Sequence, residues 1–277
     1  MRFRNMGERK GVIISVFLTC FIFGLSFFSC GDDNAADADN RVDNTDFVAS
    51  EAFSFSMVAA GKSLLKLRGV NGTINIVGLS NTDSIKVSGE RSVGSESTQD
   101  ARNYLQNLQV IVDDSGSFAF VKTIQPANNY GRDLNVDYNV TMPKNMAINV
   151  YQSNGLIEID SINSDISVWE TNGEIFLDNI IGNVIADLAD GLIQGNITIL
   201  LNGIIDFTTD NGDINLSIPE NTSAHFSAAV GTGNITITNL VLTNEQVTPT
   251  QVTGTLGSGL GIISLEVGIG DIDVTGI

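Results

Sequence analysis

The sequence holds two cysteines, one histidine, four prolines and one tryptophan in 277 residues, and no lysine or arginine follows Lys144. Each shortage excludes something. Cys20 lies inside the apolar run Gly11–Phe28 and Cys30 stands just beyond it. The chain after residue 30 therefore has no thiol for a nucleophile, a cysteine-ligated metal or a disulfide. His225, in Ala224-His225-Phe226-Ser227 after Pro219-Glu220-Asn221, has no second histidine with which to hold zinc, and it reads as a surface residue. The outward carboxylates Glu158, Asp187 and Asp206 suggest polysaccharide cleavage. Lyases on β-helical scaffolds also need a cation for their enolate-like intermediate, however, and Leu156–Ile277 contains none. The expectation is a protein that is not an enzyme.

What is present begins with a leader. Arg2, Arg4, Arg9 and Lys10 precede the apolar run, which stops at Ser29-Cys30. A basic start, an apolar stretch and a small residue at the cut describe a secretory signal peptide over residues 1–29. Ser29 directly before a cysteine makes it the lipoprotein kind, with Cys30 acylated. Cys20 is the poorer site, because Val16-Phe17-Leu18-Thr19 supplies no small residue before it. An uncleaved transmembrane anchor is the alternative, since the run approaches the ~20 residues that span a bilayer. Residues 30–46 are rich in Asp, Asn and Ala and read as a disordered acidic tether. Gly31, rather than Asp, after the cysteine favours the outer over the inner membrane. Glu8 and four bases precede Cys30, so the remainder of the 32 acids and 14 bases gives a charge of −21. Such a body repels nucleic acid.

The main signal is a repeat. Asn154-Gly155-Leu156-Ile157, Asn172-Gly173-Glu174-Ile175 and Asp190-Gly191-Leu192-Ile193 follow one another at a spacing of 18. Ser164-Asp165-Ile166 and Gly182-Asn183-Val184 fall halfway between, and drifting copies follow at Asn202, Asn211, Gly233, Gly261 and Gly270. Aliphatic residues recur two and four places after the glycine, as in Ile157 and Ile159, Ile175 and Leu177, or Ile214 and Leu216. Polar residues stand between them. That alternation is a half-buried strand, and Gly or Asn at its head tolerates the positive φ of a turn. A five-residue strand plus a four-residue turn accounts for nine. A nine-residue unit could also be an antiparallel hairpin array, but the same turn at the same offset is explained more simply by a winding chain that stacks each strand on its copy one coil later, placing Asn154, Asn172 and Asp190 in one ladder.

The first half is less regular. Ser63–Arg68, Ile74–Val77 and Ile85–Ser88 read as strands, and Ser97–Leu108 as a helix capped by Ser97 with Ala101, Tyr104, Leu105 and Leu108 on one face. Strands follow at Gln109–Val112, Phe118–Thr123 and Leu134–Thr141. The expected organisation is leader 1–29, tether 30–46 and solenoid 47–277, irregular over 47–143 and regular over 144–277. The sequence shows no cap after Asp271-Ile272-Asp273-Val274.

Val136-Asp137-Tyr138-Asn139-Val140-Thr141-Met142-Pro143, followed by the serial Asn-Gly-x-Ile turns, resembles the bacterial adhesin-like domains of the head-GIN type. The earlier Leu64-Leu65-Lys66-Leu67 and Asn71-Gly72-Thr73-Ile74 resemble the N-terminal part of the same family. The resemblance covers about residues 50–277. It implies an all-β, right-handed parallel β-helix with one short helix, exported and envelope-anchored, with no catalytic residue to carry over. A lipid-anchored binding module for an unknown protein or glycan is the expected function, with an envelope scaffold as the alternative and a polysaccharide-active enzyme as a remote one. No cofactor or dedicated metal site is expected. Asp165, Asp187, Asp190 and Asp213 could bind calcium incidentally, but the turns lack the Gly-Gly-x-Gly-x-Asp of calcium β-rolls. Trp169, Phe176 and Ile185 take outward positions and are candidates for stacking on a sugar or packing on a partner.

Overall fold

The computed structural model describes residues 41–277; the leader, Cys30 and the first part of the tether lie outside them. In chain order the strands are β1 (Phe47–Val58), β2 (Leu64–Arg68), β3 (Asn71–Leu79) and β4 (Ser84–Ser95), followed by helix α1 (Thr98–Leu105). Then come β5 (Gln109–Asp113), β6 (Phe118–Ile124), β7 (Asp133–Pro143), β8 (Ala147–Asp160), β9 (Ile166–Ile181), β10 (Val184–Thr198) and β11 (Ile204–Ile218). The chain ends with β12 (Ala224–Thr232), β13 (Ile235–Thr238), β14 (Leu242–Thr248), β15 (Gln251–Leu256), β16 (Gly261–Ile269) and β17 (Ile272–Gly276).

The repeat is a stack of parallel rungs, a β-solenoid. Asn154 pairs with Asn172, Asn172 with Asp190 and Asp190 with Asn211, and the glycines that follow them pair likewise. The five-plus-four division expected from the sequence is not what forms. β8 to β11 are 14 to 16 residues long and run unbroken through the Asn-Gly pair. Gly155, at φ 140°, bends the strand without ending it. A coil therefore has two arms. Arm A carries Ile148, Val150 and their counterparts, and arm B carries Ile157, Ile159 and theirs. Inward side chains of both arms belong to one continuous apolar cluster, each contributing roughly 1.5–3 kcal/mol by burial. Packing adjusts locally: Gly195 stands where the repeat calls for an aliphatic, and a Cβ there would lie 3.1 Å from the ring of Phe207. The missing side chain makes room for that ring.

Spatial order departs from sequence order at both ends. β8 pairs with β2 and β3 rather than with β7, while β6 and β7 lie beyond them. β5, β4 and β1 finish that end as antiparallel strands. At the other end β16 and β17 lie against β11, and β12 and β13 lie outside them. The β14–β15 hairpin completes arm A antiparallel. This answers the missing C-terminal cap: β17 is an interior rung, with Ile272 and Val274 buried between β11 and β13. Among the aliphatic pairs that follow the turns, Ile235 and Ile237 alone are only half-buried, because β13 is the outermost rung of arm B.

The helix forms with the expected Ser97 cap but ends at Leu105, three residues short of Leu108. Ser97 Oγ accepts from the Asp100 N–H at 3.2 Å, and Ala101, Leu105 and Leu108 are buried against β1 and β4. Arg132, 3% exposed, ties the helix down through Asp100, with Nε to Oδ2 at 2.6 Å and Nη2 to Oδ1 at 2.9 Å. The chain docks already at Val42, whose N–H donates to the Tyr130 carbonyl at 2.9 Å.

Candidate functional site

Alternation along a strand sends every second side chain outward. In-register stacking converts those outward positions into columns that run across the rungs. Two such columns run side by side on the outer face of arm B over four rungs. One reads Phe176, Gln194, Asn215, Asp273; the other reads Asp178, Asn196, Ser217, Thr275, where the ladder shifts register at Asn196 and its side-chain amide makes the link to Asp178. Between them lies a shallow trough of about 400 Å³, which four rungs at ~4.8 Å spacing make about 14 Å long.

The trough wall is fixed by its own hydrogen bonds. Asp178 Oδ1 accepts from Asn196 Nδ2 at 2.9 Å, and its Oδ2 accepts from Asn179 Nδ2 at 2.9 Å. Asn179 Nδ2 also donates to Asp160 at 3.0 Å. Gln194 and Asp273 are exposed, and Phe176 closes one end half-buried. The lining is amide, hydroxyl and carboxylate with a single phenyl ring and no base. Such a surface offers donors and acceptors to hydroxyl groups and an apolar face to a sugar ring. Its carboxylates repel anions.

The corners are held by amide ladders. Asn71 Nδ2 donates to the Leu134 carbonyl at 2.9 Å, which fixes the orientation of everything that follows. Asn154 donates to Asn71 and Asn172 to Asn154, both at 2.8 Å, and Asn211 donates to Asp190 at 2.8 Å. At the opposite corner Asn183 Nδ2 donates to Asp165 at 2.9 Å, and the Asn183 Oδ1 accepts from the Ile204 N–H at 2.9 Å. Asp213 accepts from the Asp271 N–H at 2.8 Å.

The carboxylates weighed as calcium ligands are thus dispersed. Asp165, Asp190 and Asp213 serve separate ladders, and Asp187 lies exposed on arm A. Among the described residues no three His, Cys, Asp or Glu side chains converge as a metal site. Glu158 sits on the outside of arm B, whereas Asp187 and Asp206 belong to arm A, so no acid–base pair joins all three. His225 is exposed on β12. The apolar candidates separate as well: Phe176 ends the trough, while Trp169 and Ile185 lie on arm A. Trp169 is stacked on Tyr151 with ring centroids 4.4 Å apart at 7°.

One buried carboxyl escaped the sequence reading. Glu170, 5% exposed, points inward at the Asn-Gly bend, where Gln152 Nε2 reaches its Oε1 at 3.3 Å. Its Oε2 has no hydrogen-bond partner. Burial pushes its pKa up to about 8, against a lowering by the Gln152 bond, with the Glu174 charge adding to the rise. The side chain is therefore largely protonated at neutral pH. Gln194 and Asn196 could have been found by reading outward positions down the 18-residue register, and Asn215 as the third residue after its turn glycine, as Phe176 and Gln194 are. Asp273 and Thr275 could not, because the insertion of β17 beside β11 leaves no mark in the repeat.

A bent-strand parallel solenoid with amide-bonded corners is the class these features define. The Toastrack DUF4097 family model matches residues 102–275, and the chain belongs to that family. Solved structures to which the chain is similar include a "putative cell adhesion protein" from Clostridium sporogenes, at 15% identity, covering 83% of this chain and 100% of that one, with a TM-score of 0.45. Another is a "putative adhesin" from Bacteroides fragilis, at 12% identity over 81% of this chain and 97% of that one, TM-score 0.29. A third, from Parabacteroides merdae, has 10% identity over 81% and 96%, TM-score 0.21. No curated protein matches the chain.

Proposed function

We propose that the chain is a non-catalytic, adhesin-like binding module of the bacterial cell envelope that takes a neutral, hydroxyl-rich glycan in the arm B trough. The observation that carries this reading is the pair of adjacent columns, with amide and hydroxyl groups along the wall and Phe176 at the end. Two carboxylates in the lining, Asp178 and Asp273, argue against an acidic polymer. Acyl chains on Cys30 hold the module to the membrane, the outer one in a two-membrane cell.

The test is retention of neutral and acidic glycans by the purified full-length chain, with products followed in parallel. Retention of neutral glycans that drops in Phe176→Ala and Gln194→Ala, with no product formed, is the expected result. Equal retention by both variants overturns the trough assignment, and glycan turnover overturns the non-catalytic reading. Anchoring is tested separately: Cys30→Ser releases the protein from the membrane fraction, and its retention there would contradict lipidation.

A further inference from the structure

The outer face of arm A, which the trough does not use, has an ordered charge. Its column nearest the bend reads, rung by rung, Lys122, Arg68, Tyr151, Trp169, Asp187, with Glu266 two rungs further on. Bases lie to one side of the stacked aromatic pair and acids to the other. Arg68 lies over the Tyr151 ring at 5.5 Å, and Lys66, one column over, lies above Phe118 at 4.3 Å. Among the described residues none of these three bases has a carboxylate within ion-pair distance, and Asp187 is exposed. Ile185, beside Asp187, is 41% exposed.

A wholly acidic partner would satisfy the basic half of this face and be repelled by the other half, and a basic partner the reverse. A surface with the same charge order inverted satisfies both halves, and a second copy of this chain is such a surface.

We propose that arm A is a self-association face, joined by a two-fold axis running along the strand direction between β8 and β9. That operation inverts the order of rungs and keeps the position along each strand. Arg68 of each copy then opposes Asp187 of the other, Tyr151 opposes Trp169, and the Lys66 stem covers Ile185. The contact is isologous. Six rungs by five residues give about 500 Å² per copy, at the lower bound for a specific interface. Aromatic rings at the centre and charge pairs at the rim match the usual anatomy of such contacts. The arm B troughs remain free on both copies, so the dimer is bivalent and gains avidity for a repeating polymer.

The experiment is sedimentation velocity of the full-length chain in mild detergent over a range of concentrations, with circular dichroism confirming the fold of each variant. Four proteins are compared: wild type, Arg68→Asp, Asp187→Arg and the double variant. Wild type and double variant dimerise, each single variant needs at least tenfold higher concentration, and added salt weakens the wild-type dimer. A wild type that stays monomeric overturns the proposal. So do single variants that associate as well as wild type, which would place the contact in the apolar leader or elsewhere. A double variant that fails to recover overturns the two-fold register.

Discussion

Asn172 donates its side-chain amide to Asn154 on the rung before it at 2.8 Å, and the next rung cannot continue the ladder. The Leu134 carbonyl sets the first amide, and each later one copies its direction. Asn172 therefore turns its Oδ1 toward the Asp190 side chain, a carboxylate with no N–H to give. Asp190→Asn supplies that donor while still accepting from Asn211. The variant should be more stable by about 1 kcal/mol, read as a higher urea midpoint with an unchanged slope. A lower midpoint would mean that the ladder runs in the other direction.

The glycine beside each ladder residue is needed for space as much as for conformation. A Cβ on Gly173 would lie 2.0 Å from the Gly155 carbonyl oxygen, whereas one on Gly116 would meet nothing within 4 Å. Both residues have positive φ. Gly116→Ala should thus cost only backbone strain of about 1 kcal/mol. Gly173→Ala adds a backbone collision and should cost more than about 3 kcal/mol. Thermal unfolding of the two variants separates them, and equal losses would contradict the close stacking of rungs.

Much of this stacking can be read from the sequence. The 18-residue recurrence of Asn-Gly fixes which residues pair, and the aliphatic alternation fixes which face inward, as the burial of Ile157, Ile175, Ile193 and Ile214 shows. Continuity through the bend is not legible, because Asn-Gly marks a tight turn and a bent strand alike. The order of the end rungs is not legible either. β2 and β17 are brought to their neighbours by pairing across long separations, which local pattern does not record. The trough inherits this limit: its Phe176 end follows from alternation, and its Asp273 end depends on where β17 inserts.

Glu170 makes the fold sensitive to alkali. Its pKa in the folded protein, about 8, lies above the ordinary 4.5, so the fold favours the protonated form. Its stability contribution is complete below about pH 4.5 and is lost as pH rises through about 8, at up to roughly 1.4 kcal/mol per unit. Glu170→Gln keeps the shape without the charge. Urea unfolding at pH 5, 7 and 9 should show a decline in wild type that the variant lacks. Parallel curves would place the titration elsewhere.

The Arg132–Asp100 pair predicts the opposite limb. The Arg132 hydrogen bond and charge hold the Asp100 carboxyl below its usual range, with a further hydrogen bond from Ser95. Its contribution is present above the ordinary carboxylate pKa and is lost as pH falls through the lowered one. Arg132→Gln leaves the carboxylate without its cation and should cost roughly 3 kcal/mol at neutral pH, with less difference in acid. A variant as stable as wild type at pH 7 would show that α1 is held by apolar packing alone.

Calorimetric titration of a neutral oligosaccharide retained by the full-length chain tests the trough most directly. Binding at least tenfold weaker in Phe176→Ala and Gln194→Ala, alongside an unchanged isotherm for Lys86→Ala on the exposed side of β4, is the predicted result. Isotherms for the two trough variants that superimpose on wild type would contradict the assignment.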